Sequence, residues 1–303
     1  MGNIIKVKNL IKSYDDLIAV NNVSFEVSEG EVFTLLGLNG AGKTTIIEIL
    51  EGINPPDSGQ VQVLDADISR KCRKIKEKIG VQLQDNDFYR EIKVHEICDQ
   101  FANFYSDPMP PDEVLKWISL EDKGNSRIRE LSSGQKRKLA LGLALINHPQ
   151  IVFLDEPTSG VDVKTRHNLW EMIVDLKKRG ITIFLTTHYL EEAESISDRV
   201  AIIHKGHLLT VDTPQNLIQN KSWSINIRFK TLHAMDMDTL ILKSPCFKNI
   251  KLSNGFYVLE VNTVEQAITD LMTAVREAGN QLSELHAEQN SLEDIFIDLT
   301  KGD

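Results

Sequence analysis

A chain of 303 residues, 41% hydrophobic and 26% charged, has an ordinary globular composition and the length for one large domain plus a smaller one. Its 44 Asp and Glu against 34 Lys and Arg leave a net charge of −10, which disfavours a protein built to grip nucleic-acid phosphates. No stretch approaches the roughly 18 uninterrupted apolar residues of a membrane span, and Cys72, Cys98 and Cys246 are too scattered for a disulfide framework or a zinc site, so a reducing compartment is expected.

The N-terminal residues carry charges within a short apolar stretch and form neither signal peptide nor anchor. If the protein works at a membrane, another chain supplies the spans. Residues 4–36 read as short strands with polar breaks: Ile4 to Val7, a turn near Ser13 to Asp16, then Val23 to Val27 in period-two alternation, an antiparallel start. Tyr14 lies in the intervening loop, where its ring can serve packing or stack on an adenine.

The apolar, β-prone run Glu31 to Leu36 feeds Gly37-Leu38-Asn39-Gly40-Ala41-Gly42-Lys43-Thr44-Thr45, and Ile46 to Leu50 follows without Gly or Pro. Strand, glycine-rich turn and helix start is the context in which this spacing is a phosphate-binding P-loop. The glycines let successive backbone N–H groups point inward at the helix's positive end. Lys43 then reaches the β- and γ-phosphates, and Thr44 ligates Mg²⁺.

After turn formers from Gly52 to Gly59 come a strand over Gln60 to Leu64 and another short β run, Ile79 to Gln84. Gln84 leads into the polar turn 85–87, where an amide can touch both a nucleotide site and a partner surface. From Ile92 to Glu130 the pattern becomes helical, with Pro108, Pro110 and Pro111 separating two helices, a helical insertion in an α/β domain. It closes on Leu131-Ser132-Ser133-Gly134-Gln135, ahead of a helix with Leu139, Leu143 and Ile146 on one face. Ser132 is an ordinary N-cap or the edge of an anion site; the local pattern fits both.

Ile151 to Leu154 ends on Asp155-Glu156-Pro157, as expected of a buried parallel strand whose tip faces a ligand crevice. Neighbouring side chains diverge, so Asp155 is expected to hold Mg²⁺ and Glu156 to activate a water as general base. Ser159-Gly160-Val161-Asp162 precedes a helix over 163–179, and the strand Ile181 to Thr187 ends on His188, either structural or a hydrogen-bond donor to a γ-phosphate. A helix over 191–197, a strand over 199–203 and a hairpin turn at 204–207 follow. Near Gln219 to Ser222 the composition turns polar, and the boundary is placed there. Strands at 223–229 and 256–261 and helices at 264–278 and 291–300 read as a small α+β domain of about 80 residues, expected to be accessory or dimer-packing.

In this order, the P-loop at 37–45, Gln84, Leu131 to Gln135, Asp155-Glu156, Ser159 to Asp162 and His188 resemble the ATP-binding cassette proteins over roughly residues 3–218. Together with the helical insertion and C-terminal extension, they look like the nucleotide-binding subunits of bacterial multidrug or ABC-2-type exporters. The resemblance implies an α/β P-loop NTPase fold with an antiparallel β subdomain and a helical subdomain at about 90–145 within domain 1–220, plus the small α+β domain 221–303. It implies an ATP hydrolase using Mg²⁺, on the cytoplasmic face of the membrane, that drives export through separate permease subunits. Its working unit would be a homodimer of cassettes, or a heterodimer with a second cassette, with no nucleic-acid partner.

By the same resemblance Tyr14 stacks on adenine, Gln84 joins Mg²⁺ and the coupling surface, and Asp162 communicates across the dimer. Ser132, Ser133, Gly134 and Gln135 face ATP held by the other cassette, and His188 and Glu156 act on one γ-phosphate. Ser133 stands where the family usually has Gly, and Val161 where Leu is usual. The alternative class is a cassette acting on ribosomes or DNA. Those usually carry two cassettes or long heptad coiled coils, and this chain has neither.

Overall fold

The computed structural model describes residues 2–68, 75–82, 88–220, 225–253, 255–261, 263–288 and 291–300. The chain divides into two units, Met1–Pro214 and Gln215–Asp303.

In the first unit, β1 (Asn3–Tyr14) and β2 (Leu17–Ser28) form an antiparallel hairpin that joins β4 (Ser58–Val63) and β5 (Ala66–Asp67) in the order β2-β1-β4-β5. Where the sequence suggests short strands with a break, two continuous 12-residue strands run. Register shifts absorb the polar interruptions, and positive φ at Asn9 and Asn22 falls among them. Tyr14 pairs with Leu17 at the hairpin's end.

The second sheet has the order β10-β9-β3-β8-β7-β6, from β3 (Val32–Leu36), β6 (Ile79–Gln82), β7 (Ile151–Asp155), β8 (Thr182–Thr187), β9 (Arg199–His204) and β10 (His207–Asp212). All but β10 run parallel. Every residue of β3, β7 and β8 is buried, which explains why they read as unbroken apolar or β-branched runs. The register sets Leu36 beside Thr187 and Asp155 beside Thr186, so the three strand tips end together.

Helix α1 (Lys43–Leu50) buries Ile46, Ile47, Ile49 and Leu50 in a core shared by both sheets. Phe25 of β2, Phe33 of β3 and Phe184 of β8 stack there, with centroids 5.4 Å (Phe25–Phe33) and 5.6 Å (Phe33–Phe184) apart. The stack ties the hairpin that carries Tyr14 to the strand that feeds the P-loop.

The helical insertion consists of α2 (Val94–Ala102), α3 (Pro111–Trp117) and α4 (Ser133–Leu143), gathered around Val94, Val114, Ile118, Leu139 and Ile146. Pro111 is the first residue of α3 rather than part of the separator, a place where its missing N–H costs nothing. On the other face of the sheet, α5 (Val163–Lys178) packs Leu169, Trp170 and Ile173 against Val152 and Leu154, and α6 (Leu190–Ile196) adds Ile196.

The second unit begins within α7 (Pro214–Asn220) and holds β11 (Ile225–Thr231), α8 (Met237–Ile241), β12 (Phe247–Ser253), β13 (Phe256–Val261), α9 (Val264–Glu277), β14 (Leu282–Glu288) and α10 (Leu292–Thr300). Its antiparallel sheet, β12-β13-β11-β14, buries Ile227, Phe229, Leu259 and Val261 with Ala267, Leu271 and Val275 of α9. Among the described residues no helix is long and apolar enough to cross a membrane. Of the two cysteines described, Cys98 and Cys246, both are free, and burial pushes the Cys98 thiol up to about 12.

Candidate functional site

The P-loop joins the tip of β3 to α1. Its backbone needs two glycines with positive φ, Gly40 at +80° and Gly42 at +104°. Lys43 is 5% exposed, and its ammonium donates to the carbonyls of Gly37 (2.9 Å) and Leu38 (3.2 Å), 3.4 Å from Glu156 Oε1. A buried cation ringed by loop carbonyls is a ready partner for phosphate oxygens.

Thr44 and Asp155 face each other across the strand tips, the Thr44 hydroxyl 3.3 Å from Asp155 Oδ2. A hydroxyl and a carboxylate form an oxygen pair of the kind hard divalent cations take. Thr186, next to Asp155 in the register, donates its hydroxyl to Asp155 Oδ1 and accepts the Glu156 N–H at 3.1 Å. One side chain thus orients both carboxylates. Burial raises the Asp155 pKa and the adjacent Glu156 charge adds to this, while the Thr186 and Thr44 hydroxyls and Lys43 pull it down.

Glu156 is 7% exposed and sits at φ +47°, a left-handed conformation costing a non-glycine residue about 1–3 kcal/mol. Its N–H also meets the Thr186 carbonyl (3.2 Å), and its own carbonyl accepts the Ser159 N–H (3.1 Å). The kink turns its carboxylate toward the P-loop. Its Oε1, near Lys43, is also 3.1 Å from His188 Nδ1, which is not aligned for a hydrogen bond.

Lys43, Thr44 and Glu156 open on a cavity of about 620 Å³ that Tyr14, Leu17, Asn39 and Lys205 also line, a volume suited to one small ligand, while Asp155, Thr186 and His188 stand behind that lining. Leu17 and Lys205 have no motif to announce them. Tyr14 is 42% exposed, its hydroxyl 3.4 Å from Asn54 Nδ2. The Asp57 carboxylate braces the same hairpin by accepting from Lys12 Nζ (2.9 Å) and the Ser13 N–H (2.7 Å). Gln84 lies outside the described residues.

Ser132, Ser133, Gly134, Gln135 and Asp162 do not line this cavity. Ser132 caps α4 in a capping box: its Oγ accepts the Gln135 N–H (3.2 Å), and the Gln135 side chain accepts the Ser132 N–H (2.9 Å). That pairing uses two of the backbone donors expected to face an anion and leaves those of Ser133 and Gly134. A Cβ on Gly134 would stand 2.5 Å from Thr165 Cγ2, so the glycine lets α4 nest on α5. The Ser133 side chain is exposed. Asp162 caps α5 by accepting from the Thr165 N–H (3.0 Å) and hydroxyl (2.6 Å), and the Thr165 hydroxyl holds its carboxyl below the usual range.

Sequence reasoning passes over Glu51, at the C-terminal end of α1. It is 2% exposed, and neither carboxyl oxygen has a hydrogen-bond partner among the described residues. Burial first, then the charges of Asp155 and Glu48, push its carboxyl from 4.5 up to about 8. The folded state therefore holds a proton that the unfolded chain releases above pH 4.5, so this group's contribution to stability falls as pH rises from about 4.5 to about 8. Glu51→Gln removes that loss. At pH 8 the variant should be more stable than the wild type by on the order of 5 kcal/mol, and the gain should vanish toward pH 4.5, as read from urea denaturation at both pH values.

A P-loop, a histidine just past the tip of the neighbouring strand and two acids at the tip of the next, in a parallel sheet with a helical insertion, define a cassette-type ATPase. The profile of the ABC transporter family matches residues 20–159. The chain is 36% identical over 296 residues to a Nod factor export ATP-binding protein I of Rhizobium sp. (strain N33), covering 95% of this chain and 94% of that protein. It is 35% identical over 304 residues to that of Rhizobium meliloti (strain 1021), covering 98% and 88%. A dimeric post-hydrolysis ATP-binding cassette bound to ADP and Pi superposes with a TM-score of 0.64 at 26% identity, over 69% of this chain and 98% of that one. A cassette of the cbiONQ ABC transporter complex from Clostridium perfringens gives 0.65 at 29%, over 73% and 92%.

The chain belongs to the ATP-binding subunits of ABC transporters. It is an ATP hydrolase that couples ATP binding and hydrolysis to substrate movement by membrane subunits, and subunits of this family form cassette dimers. A cassette that acts on ribosomes or DNA is not favoured.

Proposed function

We propose that this subunit powers export, working as a peripheral protein on the inner face of the cell membrane against separate integral-membrane permease subunits. Its cassette pairs with an identical copy, or with a second cassette, and no nucleic acid takes part. The observation that carries this reading is the P-loop cavity lined by Lys43, Thr44 and Glu156, with Asp155 beside Thr44 and His188 beside Glu156. Export itself comes from the relatives, which are named for it.

In this reading the N–H groups of residues 37–45 and the Lys43 ammonium bind the β- and γ-phosphates, and Tyr14 stacks on the adenine. Thr44 and Asp155 hold Mg²⁺, with Gln84 as a further oxygen ligand. When bound, Mg²⁺ neutralises charge on the phosphate oxygens. Glu156 takes the proton of the attacking water, and His188 donates a hydrogen bond to the γ-phosphate. Ser132, Ser133, Gly134 and Gln135 of the opposite cassette close over that phosphate, and Asp162 lies at the seam. The cassette is assigned to residues 1–220, and the α+β unit beyond it to an accessory or dimer-packing role.

The test is recovery of tagged Glu156→Gln protein with ATP and Mg²⁺ from detergent-solubilised cells of its source. A polytopic membrane protein should accompany it, and only while the protein can bind ATP. Ribosomal or DNA-maintenance proteins in its place would contradict the proposal.

A further inference from the structure

Glu192, on α6, is completely buried; one carboxylate oxygen accepts hydrogen bonds from two separate segments, and the other, Oε2, has no hydrogen-bond partner among the described residues. Its Oε1 accepts the Thr158 hydroxyl at 2.9 Å and the Trp170 indole N–H at 2.9 Å. Burial raises the Glu192 pKa, and the neighbouring Thr187, Trp170 and Thr158 donors and the Arg166 charge oppose it. Thr187 in turn accepts the Tyr189 N–H at 3.0 Å, and the Arg166 guanidinium stacks over the Tyr189 ring at 4.6 Å.

Thr158 is two residues beyond Glu156, and Thr187 immediately precedes His188. Trp170 belongs to α5, the helix capped by Asp162. Helix α6 begins two residues after His188, so its buried Glu192 fastens the segment that carries the histidine to the turn that carries the base and to the helix behind both. Burying a carboxylate is costly, and a buried, hydrogen-bonded network gains specificity of arrangement in return. The turn it grips is the one in which Glu156 adopts a left-handed backbone.

We infer that Glu192 is a positioning residue for hydrolysis, which holds Glu156 and His188 in register by tying the Thr158 turn to the tip of β8. The inference rests on the roles proposed above for Glu156 and His188. Glu192 touches neither substrate nor reacting atoms. Its removal should therefore lower kcat and leave ATP binding alone.

The experiment compares wild type, Glu192→Gln, Glu156→Gln and the double variant, each checked for folding by thermal unfolding. Single-turnover ATP hydrolysis and the Kd for ATP are measured on each. Misplacing a catalytic group costs up to roughly 100-fold, so Glu192→Gln should lose about 10- to 100-fold in rate, with Kd and KM for ATP unchanged. The double variant should hydrolyse no more slowly than Glu156→Gln alone. A folded Glu192→Gln with wild-type kcat, a rise in KM alone, or the same fold-loss on both backgrounds would overturn the inference.

If Glu192→Gln does not fold, Thr158 decides: Thr158→Ser should keep kcat and Thr158→Val should lose it, and equal rates for the two would overturn the inference. Should Glu156→Gln itself hydrolyse at the wild-type rate, the base assignment fails, and the inference built on it falls. A slow Glu156→Gln beside a fast Glu192→Gln faults the inference alone.

Discussion

Glu156→Gln should bind ATP as the wild type does and hydrolyse it roughly 10²- to 10⁴-fold more slowly, the usual contribution of a positioned general base. The amide is nearly the same size as the carboxylate and cannot accept a proton from water. Its backbone has every reason to stay in place. The Glu156 N–H is held by Thr186, its carbonyl by Ser159, and neither contact involves the carboxylate. What changes is Oε1, which now stands 3.4 Å from Lys43 and 3.1 Å from His188. Losing that charge frees Lys43 from a competing anion, so nucleotide affinity should not fall. Phosphate release and a fluorescent-nucleotide titration on the same preparation separate the two effects. A variant that hydrolyses at the wild-type rate would place the base elsewhere.

Gly42→Ala should abolish productive nucleotide binding for a backbone reason. Gly42 lies at φ +104°, and a Cβ there would stand 2.4 Å from the Ala19 carbonyl oxygen, where no real contact occurs. The φ alone costs about 1–3 kcal/mol for a residue with a side chain, and the clash forces either β2 or the loop to shift. Because the N–H groups of this loop form the phosphate cradle, even 1.4 kcal/mol lost from binding is tenfold in affinity. We expect ATP affinity to drop by at least roughly tenfold. Gly180→Ala is the control: φ is +85°, but nothing lies within 4 Å of its Cβ. It should lose stability and keep ATP binding. Calorimetric titration and thermal unfolding of both variants check this, and equal ATP affinity in the two would sink the argument.

The parts of the site that the sequence reveals are those built locally. A strand, a glycine-rich turn and a helix start are consecutive, so residues 37–45 announce their own geometry. Asp155-Glu156 and His188 end buried runs, and strand tips in a parallel sheet converge. The supporting network is not local. Thr158 and Glu192 meet across 34 positions, Thr186 and Asp155 across 31, and neither spacing has a periodic signature. Ser132 and Gln135 are legible as a capping box, yet their expected ligand belongs to another chain.

In the second unit, β14 reads Leu-Ser-Glu-Leu-His-Ala-Glu, too polar to stand out, and is a strand because β11 pairs with it, Phe229 beside Leu285. Strand β12, with Lys248, Asn249 and Lys251 exposed along a sheet edge, is hidden for the same reason. Long β1 and β2 were masked by their polar bulges.

The most direct measurement is the mass of Glu156→Gln protein by light scattering, with and without ATP and Mg²⁺. A site that needs residues 132–135 of a second cassette predicts a monomer without nucleotide and a dimer with it, holding two ATP per dimer. It also predicts that Ser132→Arg, which leaves the cavity's own lining intact, blocks dimerisation while sparing ATP binding. A Glu156→Gln protein that binds ATP fully and stays a monomer would contradict the shared site.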